Sequence, residues 1–390
     1  MNILVIGNGF DLAHGLPTKY TDFLDVVESF NSIIANPNII KQGALANTAK
    51  PIYEFLDRLI FEEPLICKEF EEQIRNNFWI NYFFLDLSQK KENWIDFESE
   101  ISKVVRALDD ARVLTVQGGS VLSIEDTRTD VIKNILKASG MKVEKLFSEV
   151  EKIDKFVDKC KEDLNRLTRA LEIYLCECVE NSECITISPD IKDIHVDKVL
   201  SFNYTNTFSK IYDKSESLEY DYIHGKADIH HSVENNNMVL GIDEYLPDER
   251  KNKDVDMIEF KKFYQRIYKE TGCKYKEWVF RIQQDASRFQ DKYVHILNRL
   301  ITGIEAENYK QYEKYIHHVY IYGHSLDDTD GDILRELILN DNVFTTVFYF
   351  DKKQNGKQIA NLVKVIGQDE LIKRTGGGTK TIEFKQQQEM

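Results

Sequence analysis

Short, unbroken apolar runs lie towards the two ends of the chain, and amphipathic stretches fill most of the sequence between them. The runs have the length and composition of strands that are buried on both faces. They lie at residues 2–6, 196–202, 220–223, 238–242, 318–322, 345–350 and, as an edge strand, 379–384. Strands that alternate with helices and lack polar alternation are typical of a parallel sheet covered on both sides. The pattern therefore predicts an α/β fold with a Rossmann-like parallel sheet.

Helical spacing of apolar residues dominates the middle of the chain. It extends from about 40 to 185, where only residues 113–116 suggest a short strand. A second helical stretch, rich in Lys and Tyr, runs from about 249 to 312, and another helix is predicted over 331–339. We therefore predict one core, formed by 1–40, 190–248 and 313–390, with large helical insertions at 41–189 and 249–312.

The composition is that of a packed, acidic protein. Hydrophobic residues make up 42% of the 390 positions, and 51 basic against 66 acidic residues give a net charge of −15. Nucleic acid is not favoured as a partner, because counterion release from phosphates rewards a basic surface. No window approaches the roughly 18 apolar residues of a membrane span. The N-terminus lacks a basic segment and a cleavage site of small residues, so we expect a cytoplasmic protein.

The six cysteines are irregularly placed and do not form a disulfide framework. Cys176, Cys178 and Cys184 cluster, but a zinc site would need a fourth ligand, for which His195 is the nearest candidate. The alternative is that they are ordinary buried thiols, and we expect no zinc.

A glycine-rich loop, GNGFDLAHGLP, follows the first predicted strand. In an open parallel sheet the functional loops lie at the carboxyl ends of the strands. Gly7 and Gly9 would let the backbone approach a pyrophosphate, whose charge the N–H groups of the following helix would receive. The usual third glycine is absent, because position 12 is Leu12. The loop can equally be a tight turn between a strand and a helix.

Three further strand ends carry residues that suit chemistry. Asn203, in FNYTNT, can donate and accept hydrogen bonds at once, which suits a ribose hydroxyl or a water molecule. His224, in YIHGK, can act as a general base near neutral pH or merely cap its strand. Gly323 and Ser325, in IYGHSL, resemble a second loop that approaches a ligand with its backbone.

An acidic segment follows this last loop, with Asp327, Asp328, Asp330 and Asp332 close together. These carboxylates could hold a divalent cation. Alternatively, the helix dipole favours them and Asp327 or Asp328 caps the next helix. We expect no metal site.

Two aromatic elements lie in the first helical insertion. In NWIDFE, Trp94 and Phe97 suit a core, with Asp96 and Glu98 solvated, and the alternative is that the element lines the cleft. The run FWINYFF favours helix packing over a platform on which bases stack.

Taken together, the loops resemble the sirtuin family. GNGFDLAHGLPTKY is similar to the sirtuin signature GAGIS-x-x-SGIPDFR, with Gly7, Gly9, Gly15 and Pro17 at its glycines and proline. FNYT resembles the sirtuin T-Q-N-I-D element, and the HG pair resembles the H-G whose histidine is the catalytic base. YGHSL resembles the G-T-S-L loop that holds the NAD phosphates and ribose. VFYFDKK resembles the following strand, which would bring Asp351 near the adenosine ribose.

The chain departs from the sirtuin pattern at several positions. It has no four-cysteine zinc module after His224, so protein deacylation is not expected. Asp11 replaces the serine of GAGIS, Thr205 replaces the aspartate of N-I-D, and TKY replaces DFR. The sirtuin resemblance implies NAD binding and cleavage of the nicotinamide–ribose bond.

More specifically, the chain resembles the AbiH family of bacterial phage abortive-infection proteins. The motifs NGFDLAHGLPTKYTDFL, NWIDFE, SFNYT, IHG and IYGHSLDDTD carry this resemblance as a set, from residue 3 to about 351. It implies a role in bacterial defence against phage and does not itself fix a chemistry.

The predicted reaction is hydrolysis of NAD to nicotinamide and ADP-ribose. Asn203 would orient a ribose hydroxyl or the attacking water, His224 would accept a proton, and Asp11 would stabilise the developing oxocarbenium ion. The predicted nucleotide contacts are Gly7, Asn8, Gly9, Phe10, Gly15, Tyr20, Thr205, Gly323, His324, Ser325 and Asp351.

Two other functions stay open. A metal-dependent nuclease would use Asp11, Asp327, Asp330 or Glu98 around its ion. A sensor would bind NAD or ADP-ribose without turnover, while the helical insertions oligomerise or engage a phage protein. Besides the nucleotide, the partners that we expect are a phage-derived trigger and further copies of the chain.

Overall fold

The computed structural model describes residues 1–36, 50–89, 95–118, 128–182, 186–214, 218–287, 317–377 and 380–390. The chain divides into two compact units. The sheet unit comprises Met1–Leu16, Cys184–His224 and Thr271–Met390, and the helical unit comprises Pro17–Glu183 and Gly225–Glu270. Trp94 and Cys184 lie outside the described residues, as does the second predicted helical stretch beyond residue 287.

The sheet unit is built on a parallel sheet. Its strands are β1 (Asn2–Ile6), β2 (Lys198–Ser201), β3 (Glu219–Tyr222), β4 (His317–Tyr322), β5 (Val343–Tyr349) and β6 (Ile382–Gln386). They lie in the order β3-β2-β1-β4-β5-β6, and each neighbouring pair is parallel. The predicted α/β class with a Rossmann-like sheet is confirmed, and β6 is an edge strand as expected.

Both faces of the sheet are buried, which explains the unbroken apolar runs. Ile3 and Val5 of β1 belong to one hydrophobic cluster, whereas Leu4 and Ile6 belong to another. Successive side chains of a strand point to opposite faces. A strand with buried clusters on both sides therefore has no polar alternation.

Helices surround the sheet and form the bulk of the helical unit. They are α1 (Asn8–Ala13), α2 (Tyr20–Ala35), α3 (Lys50–Phe61), α4 (Pro64–Ile74), α5 (Phe78–Gln89), α6 (Phe97–Val116), α7 (Arg128–Ser139), α8 (Val143–Leu146), α9 (Val150–Tyr174), α10 (Thr207–Tyr212), α11 (Asp248–Lys251), α12 (Lys262–Tyr268), α13 (Gly331–Ile338), α14 (Lys352–Ile366) and α15 (Gln368–Thr375). Residues 275–287 contain a further helical segment. Helix α9 continues into a π-helical turn, Leu175–Val179.

One predicted strand, 238–242, is wrong. This segment lies in the helical unit and forms only an isolated bridge, between Ile242 and Lys261. Its apolar side chains are buried, but a side chain satisfies its backbone: the amide of Gln265 accepts from Leu240 N at 3.1 Å and donates to Leu240 O at 3.1 Å. The apolar run reflected burial, which a strand and a side-chain-bonded loop share.

The possible strand at 113–116 is also wrong, because these residues form the last turn of α6. The aromatic run of α5 packs in a core as expected, with Phe78, Trp79 and Phe83 buried. Phe97 is buried as well. Among the described residues, no helix is both long and apolar enough to cross a membrane.

Candidate functional site

The candidate site lies in the sheet unit, at the carboxyl ends of its central strands. Starting from β1, the chain adds β2 and β3 on one side of the sheet and β4, β5 and β6 on the other. The position between β1 and β4 is therefore the topological switch point of the sheet. Open α/β sheets bind their ligands at such a point, outside the carboxyl ends of the strands. The loops after β1, β2, β3 and β4 all begin at this edge, because the strands are parallel.

The loops after β1 and β4 are packed backbone against backbone. Gly9 N donates to Gly323 O at 2.8 Å, and Gly7 N donates to Tyr322 O at 3.2 Å. A Cβ added at Gly9 would lie 2.8 Å from the Cα of Gly323. Gly323 itself has φ +69°, and a Cβ there would lie 2.1 Å from Phe10 N. Close packing of the two loops therefore requires these glycines before any ligand is considered.

This packing also uses N–H groups at the start of α1. Besides Gly9 N, Phe10 N is occupied, since it donates to Gly7 O at 2.8 Å. Hydrogen bonds within the protein thus occupy amides that the sequence assigned to a pyrophosphate. The contribution of Gly7 and Gly9 to nucleotide binding remains a prediction.

Asn203 joins the loop after β2 to the loop after β1. Its Nδ2 donates to Gly7 O at 3.0 Å, and its side chain is buried. The backbone N of Asn203 in turn donates to the hydroxyl of Ser201 at 3.1 Å. The structure thus gives Asn203 a positioning contact that the sequence did not indicate.

A buried chain of hydroxyls leads from the same loop to Asp11. Thr205 donates to Oδ2 of Asp11 at 2.6 Å, and Thr207 donates to the Thr205 hydroxyl at 3.1 Å. All three side chains are buried. Asp11 and Thr205, two of the positions that differ from the sirtuin pattern, are therefore in direct contact.

His224 lies close to a second histidine and a carboxylate. Its Nε2 is 3.4 Å from Oδ1 of Asp330, and Nε2 of His324 is 3.5 Å from Oδ2 of the same side chain. The ring of Phe202 contacts both imidazoles, with centroids 5.6 Å from His224 and 4.3 Å from His324. The ring of Tyr204 is also near His224, with the two ring centroids 6.4 Å apart. His224 is only 5% exposed, so this is a buried polar centre.

Sequence reasoning missed Asp330 as the common partner of the two histidines. It treated Asp330 as one of four acidic residues of a helix start or a metal site. The spacing in GHSLDDTD gave no sign of this role, because His224 comes from a different loop about a hundred residues earlier. An interaction between distant loops has no local sequence pattern.

Asp327, in the same acidic segment, has a separate structural role. Asp327 accepts from Thr329 N at 3.3 Å and caps a 3₁₀ turn, Asp328–Asp330, as one of the two expected caps. Burial raises the pKa of Asp327, and the charge of Asp328 adds to this effect. In the part of the chain that the structure describes, no group of three or more His, Cys, Asp or Glu side chains could hold a metal ion.

The remaining residues predicted to contact nucleotide lie in varied surroundings. Phe10 is fully buried in the core of the sheet unit, with its ring 5.9 Å from that of Tyr322. Gly15 is exposed and has φ +77°. Asn8 and Ser325 are exposed too. Several of these residues are therefore exposed on the loops of the sheet unit, whereas Phe10 packs in its core.

Asp351 and Tyr20 have structural contacts of their own. Asp351, at the end of β5, caps α14 by accepting from Gln354 N at 2.7 Å. Tyr20 belongs to the helical unit, where its ring stacks on Phe97 at 4.1 Å.

The NWIDFE carboxylates and the cysteines also lie in the helical unit. Asp96 caps α6 by accepting from Glu98 N at 3.1 Å, and Glu98 forms an ion pair with Lys262 at 2.7 Å. Cys176 and Cys178 are buried free thiols, and burial raises the pKa of both, that of Cys178 to about 12. Raised thiol pKa values disfavour the thiolate that binds zinc.

Comparison with known proteins gives one match. No curated protein and no solved structure matches the chain. A family model described as "Bacteriophage abortive infection AbiH" matches residues 3–350, which is most of the chain. The chain therefore belongs to the AbiH family.

Proposed function

We propose that this AbiH protein acts in anti-phage defence by binding NAD at the carboxyl edge of its sheet and hydrolysing it. Membership of the family supports the defence role. The strand order supports a dinucleotide, because β3-β2-β1-β4-β5-β6 is the order of the doubly wound folds that bind dinucleotides at the switch point.

The observation that carries the proposal is the convergence of distant residues at that point. Asn203 contacts Gly7, Thr205 contacts Asp11, and the loop after β4 brings His324 and Asp330 to His224. A histidine and a carboxylate in contact are a suitable pair for general base catalysis. The predicted catalytic residues therefore lie on loops that contact one another, although they are far apart in sequence.

In the proposed reaction, the bond between C1′ of the ribose and the nicotinamide nitrogen breaks, and its electron pair stays on nicotinamide. A water molecule forms the new bond to C1′ and loses a proton to His224. The buried carboxylate of Asp11, held by Thr205, would favour the positive charge that develops on the ribose. Asn203 would act by fixing the loop after β1 through Gly7 O. The products are nicotinamide, ADP-ribose and a proton.

Arrest of the host by loss of NAD would account for abortive infection. The proposed setting is the cytoplasm, with a phage-derived trigger and association of several copies as further partners.

The test is incubation of the purified full chain with NAD, followed by identification of the products by mass. We expect nicotinamide and ADP-ribose from the wild type, and a loss of about 10²–10⁴-fold in rate for His224→Gln. His195→Gln is the matched control, because the His195 side chain is 84% exposed and lies 3.3 Å from Asp197. Full activity in His224→Gln would remove the basis of the proposal.

The burial of His224 favours a second candidate, a sensor that binds NAD or ADP-ribose without turnover. Calorimetric titration with each ligand would show binding, and the product assay would show no cleavage. Labelled DNA and RNA, with and without Mg²⁺, belong in the same experiment. Their cleavage would instead support a nuclease.

A further inference from the structure

Asp330 lies between two histidines from different loops of the sheet unit. Its two oxygens face different rings, with Oδ1 3.4 Å from Nε2 of His224 and Oδ2 3.5 Å from Nε2 of His324. All three side chains are nearly buried, at 12% exposure for Asp330, 7% for His224 and 4% for His324. A carboxylate in this position constrains the protonation of both rings.

The backbone fixes the tautomer of His324. Leu326 N donates to Nδ1 of His324 at 2.9 Å, so Nδ1 must be the nitrogen with a lone pair. The proton of the neutral ring is therefore on Nε2, where it points towards Asp330. While the Leu326 bond exists, His324 can therefore offer only a proton, and not a lone pair, at the nitrogen that lies 3.5 Å from Oδ2 of Asp330.

The local backbone is strained in a way that keeps this arrangement. Leu326 is fully buried and has φ +59°, a left-handed conformation that costs a residue other than glycine about 1–2 kcal/mol. Gln358, on α14, donates from Nε2 to His324 O at 3.0 Å and holds the same loop. Strain that the surrounding structure maintains is a mark of functional loops.

We propose that Asp330 is the positioning residue of the site, held by His324, and that it sets the tautomer of His224. Because Oδ2 receives the proton of His324, Oδ1 is left to accept from Nε2–H of His224. The other ring nitrogen of His224, Nδ1, then carries the lone pair that takes the proton of the attacking water. Asp330 also stabilises the imidazolium that this step creates. The role in catalysis rests on the proposed function, whereas the tautomer does not.

This arrangement makes a sharp prediction for Asp330→Asn. His324 remains a donor, since Leu326 locks it, so it would take the oxygen of the new amide. The NH₂ group would then face Nε2 of His224 and require that nitrogen to accept. The proton of His224 would move to Nδ1, a buried atom in this structure, and the lone pair that the proposed reaction uses would be lost.

The first measurement is the tautomer, by long-range ¹H–¹⁵N NMR of the full chain labelled at histidine. Assignments come from His224→Gln and His324→Gln. We expect protonation at Nε2 for both histidines in the wild type, and a switch of His224 alone to Nδ1 in Asp330→Asn. Asp328→Asn is the matched control, because Asp328 lies in the same segment but pairs with Lys364, at 3.9 Å. It should leave both tautomers unchanged.

The second measurement is steady-state cleavage of NAD by the same variants. Asp330→Asn should lower kcat about 10²–10³-fold, with KM within about threefold, because binding contacts are untouched. Asp328→Asn should retain wild-type kcat. If Asp330→Asn does not fold, His324→Asn provides the second variant: it keeps an acceptor for Leu326 but withdraws the donor from Asp330, and kcat should fall about tenfold.

The outcomes separate the two proposals. A wild type that shows the expected tautomers but no NAD cleavage would reject the proposed reaction and keep the positioning role. A wild type in which His224 carries its proton on Nδ1, or an Asp330→Asn protein with an unchanged His224 spectrum and unchanged kcat, would overturn the inference about Asp330.

Discussion

Each unit of the molecule contains a buried cluster of charged groups, and the two differ in the lengths of the contacts that the central carboxylate makes. In the helical unit, Glu172 is fully buried, and each of its oxygens accepts two bonds. Oε1 accepts from Asp228 N at 3.0 Å and lies 2.6 Å from Nδ1 of His231. Oε2 accepts from Arg169 at 2.6 Å and from Asn236. In the sheet unit, Asp330 lies 3.4 and 3.5 Å from its two histidines.

We interpret the cluster around Glu172 as a structural network and the cluster around Asp330 as part of the proposed site. Glu172 ties α9 to the segment after residue 225 through short bonds, which leave a carboxylate no capacity for a substrate. Asp330 lies at longer distances from its two histidines, beside Leu326, whose φ is left-handed, and beside His324, whose Nδ1 accepts from Leu326 N. Catalytic hydrogen bonds are often long in the absence of a ligand and shorten in the complex. The length of the contacts thus distinguishes the two clusters better than burial does.

The largest effect that we expect is a loss of stability when Glu172 is replaced. Glu172→Ala removes one of the two carboxylates that pair with buried Arg169 and leaves Glu69 as the other, so we expect a loss of about 3–5 kcal/mol in the free energy of unfolding. Urea denaturation followed by circular dichroism measures it. Glu151→Ala, on the same helix, removes an exposed carboxylate paired with exposed Lys155 and should leave the midpoint unchanged. A Glu172→Ala protein as stable as Glu151→Ala would show that the network is not structural.

The next effect concerns the loops around the candidate site. Gly323 has a left-handed φ, and the Cβ of an alanine there would clash with Phe10 N. We therefore expect Gly323→Ala to lower the free energy of unfolding by about 2–4 kcal/mol. Gly15→Ala has the same backbone problem, with φ +77°, but nothing within 4 Å of its Cβ, and should cost about 1 kcal/mol. The difference between the two variants in thermal denaturation isolates the loop packing. Equal costs would mean that the loops are not packed backbone to backbone.

A third effect tests the helical unit through pH. Burial lowers the pKa of Lys269 to about 8, although nearby Glu172 opposes the shift. Because an unfolded lysine titrates near 10.4, the unfolded chain binds more protons between about pH 8 and 10, and stability rises with pH across that window. Lys269→Met should remove about 1–3 kcal/mol of this rise. Denaturation at pH 7.5 and 10 measures it; parallel slopes for wild type and variant would contradict the shift.

The smallest effect separates capping from nucleotide binding at Asp351. Asp351→Ala should cost about 0.5–2 kcal/mol, since it removes the N-cap of α14, whereas Asp351→Asn keeps a good cap and should cost little. If Asp351 also binds the adenosine ribose, both variants should raise the KM for NAD. A wild-type KM in both variants would limit Asp351 to its structural role.

The sequence predicted the sheet well, because burial on both faces leaves a direct pattern. The strands β1, β4 and β5 are near their expected positions, as is α13. The same signal failed at 238–242, where Gln265 replaces a neighbouring strand as the hydrogen-bonding partner. An apolar pattern indicates that a segment is buried, but it does not indicate which groups form hydrogen bonds with the backbone N–H and C=O of that segment.

For the site, the sequence predicted which loops would meet but not how their residues would pair. The parallel arrangement alone places the strand ends at one edge, so Asn203, His224 and His324 could be named in advance. The Asp330 contacts and the Thr205–Asp11 bond depend on side-chain direction and loop conformation. No short-range pattern encodes those.

The position of β1 has a consequence for synthesis. This strand, made first, pairs with β2, which begins at Lys198, and with β4, which begins at His317. At about 5–20 residues per second, a ribosome needs about 15–60 s to reach the second partner. Until then β1 can pair with β2 but lacks its other neighbour, and the glycine contact between its loop and Gly323 cannot exist. Any property of the chain that needs this contact is therefore absent until β4 has been translated.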